Sequence, residues 1–97
     1  MKKVYIVCKG DVEGIQDIRS VHLTKSGALS AWKKLCDEMI KQAENMIDYE
    51  LENSDHDRWI RRYGDNIDAL RTYDPEIVSD KLYPSEAPII IETELKP

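Results

Sequence analysis

The chain has 97 residues, enough for one domain and too few for two. Its 41% hydrophobic and 34% charged residues make it globular in composition, which excludes a disordered chain. Net charge is −5, with residues 1–43 carrying +3 and residues 44–80 carrying −7; so acidic a middle argues against direct nucleic-acid binding, which works through Lys and Arg.

A single domain over residues 1–97 is expected. At this size folding hides only about 60–65% of the surface that the unfolded chain exposes, so nearly every large apolar side chain is expected in the core. Phe is absent, leaving two Trp and five Tyr to supply the aromatic packing. The N-terminal MKKVYIVCKGD contains an apolar run of five residues. That is too short for a membrane span or the core of a signal peptide. Cys8 and Cys36 lie in apolar runs, and the expectation is a cytoplasmic chain with reduced thiols.

Lys3 to Cys8 reads as a strand, β-branched and aromatic with glycine close behind. Alternation sends Val4, Ile6 and Cys8 to one face and Tyr5 and Val7 to the other. Gly10 to Gly14 reads as a hairpin loop. A second strand follows at about Asp17–Leu23, carrying Ile18, Val21 and Leu23.

Thr24-Lys25-Ser26-Gly27 is a helix start, because Thr24 or Ser26 can accept the free amide hydrogens of the first turn. Leu29, Trp32, Cys36, Met39, Ala43 and Met46 then recur at steps of three and four, the period of one helix side. Ala28, Leu35, Ile40, Ile47 and Leu51 widen that stripe to the breadth of a core-facing helix. The helix should run to about Glu52, roughly 40 Å at 1.5 Å per residue. Residues 53–57 break the pattern, and Ser54 offers a new cap. Trp59, Ile60, Tyr63, Ile67 and Leu70 resume helical spacing to about Tyr73, with Gly64 as a weak point. A helical hairpin is favoured over one bent rod.

Asp74-Pro75 ends the helical part, since a residue preceding proline is pushed out of helical geometry. Residues 74–88 are expected to form a long connection pinned by Ile77, Val78, Leu82 and Tyr83. Ile89 to Leu95 is the last strand. The fold expected is α+β: a three-stranded antiparallel sheet, chain order β-β-α-α-β and strand order 2-1-3, with the long helix and a second helix on one face. The face with Tyr5 and Val7 is expected to be uncovered and so a candidate interface.

The runs VYIVCKG (4–10), VHLTKSGALSAW (21–32) and IIIETEL (89–95) resemble a loose pattern of small uncharacterised proteins, many encoded by bacteriophages. Those proteins have a V-Y-x-V strand, a hairpin, a helix opened by T-x-x-x-A (here Thr24 and Ala28), and a short closing strand with acidic residues. The resemblance covers residues 3–32 and 89–95 and leaves 53–88 without a counterpart. It implies a fold and a phage origin, and brings no activity and no functional residue.

Asp55-His56-Asp57 is the one dense run of ligand-type side chains. Consecutive residues seldom converge on one ion, and the plainer reading is an acidic first helical turn favouring the helix dipole. No metal site and no cofactor are expected. Cys8 and Cys36 form no C-x-x-C pair and read as core residues. Gly10-x-x-x-Gly14 lacks the Gly-Lys-Ser/Thr ending of a phosphate loop and reads as a turn.

Arg58, Arg61 and Arg62 share one side of their helix, beside the apolar stripe of Trp59, Ile60 and Tyr63. Such a face can grip an anion, but Asp55, Asp57 and Asp65 stand three or four residues away, where pairing would neutralise it. Glu44, Asp48, Glu52 and Asp55 make a row of carboxylates rising about 6 Å per step. It reads either as a solvated surface or as a mimic of nucleic-acid phosphates. With no Ser-His-Asp or Cys-His grouping in sight, the expected function is that of a non-enzymatic binding protein. Its partner would be a protein with a basic surface, with no membrane and no direct nucleic acid involved. The concrete version is a phage-encoded inhibitor of a bacterial defence or nucleic-acid-binding protein. The alternatives are a homodimeric assembly module and a small-anion binder using the arginine face.

Overall fold

A computed structural model describes residues 2–12, 15–53, 57–83 and 86–95. The elements are β1 (Lys2–Val12), β2 (Ile15–His22), α1 (Lys25–Asn53), α2 (Asp57–Leu70), α3 (Pro75–Lys81) and β3 (Pro88–Leu95). The three strands form one sheet in the order β2-β1-β3, both pairings antiparallel. The expected α+β architecture is therefore the observed one. The chain leaves the sheet at the β2 edge and re-enters at the β3 edge, so the helices between them pass over the central strand.

β1 and β2 run further toward each other than expected, with Val12 pairing Ile15, so the strands take in most of the expected loop. Glu13 and Gly14 of that loop lie outside the described residues. Register shifts interrupt the β1–β2 ladder between Val7 and Cys8 and again between Lys9 and Val12. Gly10 falls in the second irregularity with φ of 81°, a conformation glycine enters without a Cβ clash. Its N–H donates to Ala87 O at 2.8 Å, tying the strand to the segment before β3.

The core is one cluster in which Val7 of β1 meets Trp32, Leu35, Cys36 and Met39 of α1, Ile67 and Leu70 of α2, and Val78 of α3. Val7 is 0% exposed and Tyr5 is half-buried against the same cluster. The expectation that Tyr5 and Val7 mark the uncovered face is thus corrected: theirs is the face beneath the helices. Val4 pairs Thr93, and Ile6 pairs both Val21 and Ile91. Alternation places these residues on the opposite face, where Ile18 and Val21 stand 56% and 59% exposed. β1 is apolar on both sides, so its own pattern held no clue to which side the helices would take.

Trp32 is fully buried, and its indole Nε1–H donates to Pro88 O at 2.8 Å. A buried N–H left unpaired costs about 1–3 kcal/mol, so this bond decides where α1 lies on β3. Thr24 caps α1 through its Oγ1, which accepts from Gly27 N at 3.1 Å. Burial then fades along α1. Ala28 through Ile40 supply its buried positions, Ala43 and Ile47 are half-buried, and Met46 and Leu51 are exposed. The buried positions of α1 lie in its first part, and beyond Ile47 none of its described side chains is buried. This is why the expected core stripe overran the core.

α2 ends at Leu70 instead of Tyr73, through tight turns in which Thr72 N and Tyr73 N donate to Ala69 O and Leu70 O. Tyr73 takes φ of 49°, in the left-handed region that commonly closes helices. Residues 75–81, expected as connection, form α3. Asp74 is extended and its side chain accepts from Glu76 N, while Pro75 occupies the first turn, where its missing N–H is no loss. Val78 and Leu82, four residues apart, bury themselves in the core, whereas Ile77 and Tyr83 point outward and are exposed.

Candidate functional site

Two surfaces gather the residues singled out above. The first is the outer part of the α1–α2 hairpin. Glu44, Asp48 and Glu52 are exposed along one side of α1, as spacings of four require. Asp55, the fourth expected member, lies outside the described residues. Arg71 binds Glu44 at 3.2 Å, an exposed pair of the kind worth at most about 1 kcal/mol. Asp48 and Glu52 have no ion pair among the described residues. Leu51, 67% exposed, sits among these carboxylates. Met46, Tyr49 and Trp59 add exposed apolar surface to the same hairpin.

The second is a cleft of about 360 Å³ whose walls include Arg58, Trp59, Arg61, Arg62, Lys81 and Tyr83. The one-sided arginine face is present, but its members do different things. Arg62 Nη2 donates to Glu86 Oε1 at 2.7 Å, and its guanidinium lies 5.5 Å from the Trp59 ring centre and 4.6 Å from that of Tyr83. Arg62 is therefore a fixed strut. Arg58 and Arg61 are exposed and, like Lys81, make no ion pair among the described residues. Asp57 and Asp65 make no ion pair with these arginines among the described residues, although Asp65 stands on the same wall. Lys81 and Tyr83 were not anticipated as members. They come from α3 and the residues after it, and nothing local in the sequence couples them to α2.

Asp57 opens α2 with a carboxylate in its first turn, in keeping with the dipole argument; Asp55 and His56 lie outside the described residues. No group of three or more His, Cys, Asp or Glu side chains is placed to hold a metal ion among the described residues. Cys8 and Cys36 are both buried and neither is in a disulfide, and Cys36 joins the core cluster while Cys8 does not. Burial, followed by the nearby Asp37 charge, pushes the Cys36 thiol up to about 12, which keeps it protonated and unreactive at neutral pH. Asp37 accepts a hydrogen bond from the Tyr73 hydroxyl, and that bond is the main reason the phenol is raised. No described helix is long and apolar enough to cross a membrane. A search of protein-family models, curated proteins and solved structures finds no match to this chain.

Proposed function

We propose that this chain is a non-enzymatic binding protein acting by protein–protein contact, and that the outer hairpin meets a partner with a basic surface. The observation that carries the reading is Leu51, exposed beside the exposed carboxylates Asp48 and Glu52. Interfaces draw affinity from a few apolar anchors and orientation from the charges around them. The two carboxylates are four residues apart, about 6 Å along the helix, close to the spacing of phosphates along a nucleic-acid strand. Together with the resemblance to small, often phage-encoded proteins, this supports an inhibitor that fills the basic groove of a bacterial defence or nucleic-acid-binding protein. The test is capture from a bacterial lysate at low and high salt, with the Asp48→Lys, Leu51→Ser, Glu52→Lys variant alongside. The native chain should retain a discrete basic protein that salt weakens and the variant does not bind. Equal capture by both chains, or capture undiminished at high salt, contradicts the proposal.

A homodimer is the second reading, and the exposure of Ile18 and Val21 on the sheet face away from the helices favours it. Two such faces packed together would hide apolar surface that a lone chain leaves wet. Light scattering at high protein concentration tests it. A dimer that Val21→Lys dissociates supports the reading, and a monomer at every concentration removes it.

A further inference from the structure

We propose that the cleft between α2 and the end of α3 binds a small phosphorylated ring compound of the nucleotide class, a nucleoside mono- or diphosphate. The site shares no residue with the acidic row and does not depend on the protein-contact reading. In a chain of net charge −5, Arg58, Arg61 and Lys81 line one cleft and make no ion pair among the described residues, of which Asp65 alone brings a carboxylate to its wall. Three cations held near one another with a single carboxylate beside them keep an excess of positive charge, and an anion placed among them relieves their repulsion. Arginine forks match the geometry of phosphate oxygens, and lysine adds a point charge.

The aromatic part is equally specific. Trp59 and Tyr83 keep 41% and 61% of their surface exposed, although both contact Arg62. That arginine is anchored by Glu86 and lies over both rings, so the rings are placed before any ligand arrives. A planar base can stack on such a ring for about 1–3 kcal/mol. Asn66, also on the wall, can bond to a base edge, and Asp65 can accept from ribose hydroxyls.

Size and surroundings select the small ligand over a polymer. A cleft of about 360 Å³ lies near the lower end of the range for small-molecule sites, about 300–1,000 Å³. Asp57, Asp68 and Asp80 are exposed on the same two helices, so a strand leaving the cleft would bring its phosphates toward carboxylates.

The experiment is titration of the full chain with adenosine diphosphate, followed by calorimetry and by tryptophan emission. Trp32 is fully buried and Trp59 is not, so a change in emission reports on the cleft. Adenosine diphosphate should bind saturably, and adenosine or inorganic phosphate alone at least about tenfold more weakly. Arg58→Gln with Arg61→Gln should raise the Kd by at least about tenfold, with the melting temperature unchanged because both side chains are exposed. Tyr83→Ala should weaken adenosine diphosphate more than inorganic phosphate. Absence of saturable binding, or a Kd unchanged by the arginine pair, overturns the site. A single-stranded oligonucleotide binding more tightly than adenosine diphosphate overturns its assignment to small ligands.

Discussion

Trp32 ties α1 to β3 through one side chain, because its ring fills the core cluster and its N–H donates to the Pro88 carbonyl. Replacing it by Phe keeps most of the apolar volume and strands that carbonyl. The expected loss is about 1–3 kcal/mol, read from the midpoint of urea unfolding with the slope unchanged. The thiols offer a second measurement at this scale. Cys8 and Cys36 are both buried, so a thiol reagent at neutral pH should modify neither in the native chain and both after unfolding. Cys36 also has a pH signature. Burial pushes its thiol up from the ordinary 9.0 to about 12, so between those values the folded chain holds more protons than the unfolded one. Stability from this group should be level below pH 9 and fall as pH rises toward 12, and Cys36→Ala should blunt the fall in alkaline melting curves. The burial of Cys36 was legible from its place in a three-and-four repeat. The exposure of Leu51, in the same repeat, was not, because periodicity tells which side of a helix is apolar and says nothing about how far the neighbouring layer extends.

Among the elements, α3 shows what a local rule omits. Proline at 75 bars Asp74 from helical geometry, which correctly ends the preceding helical segment. The same proline suits the first turn of a new helix, and Asp74 caps it. Asp74→Ala should therefore cost about 1 kcal/mol, measured by chemical unfolding, with the loss concentrated in amide protection of residues 76–81. Gly64 works in the other direction. It lies inside α2 with no atom within 4 Å of where a Cβ would stand. Gly64→Ala should raise stability by up to about 1 kcal/mol, since alanine restricts the unfolded chain and meets nothing in the folded one. A melting temperature that falls in this variant would show that the position does not have the open space described.

For the whole molecule, the decline of burial along α1 implies a gradient of stability. The protein is 54 Å long and only 26 Å and 19 Å across, and α1 alone accounts for about 43 Å of helix at 1.5 Å per residue. Hydrogen exchange should be slowest at residues 28–40, which hold the buried positions of α1, and fastest in α1 beyond Ile47, where the described side chains are exposed or half-buried. Uniform protection along α1 would contradict this. A less stable outer hairpin bearing Asp48, Leu51 and Glu52 also suits a surface that adjusts to a partner. The sequence by itself determined the number, type and order of most elements, because hydrophobic period, capping residues and glycine or proline breaks act over a few neighbouring positions. Only the tertiary structure decided that Tyr5 and Val7 are covered and that Lys81 and Tyr83 share a cleft with Arg58 and Arg61. The physical reason is that a strand apolar on both faces is locally symmetric. Which face is hidden, and which distant side chains become neighbours, is settled by the path of the helices from one sheet edge to the other.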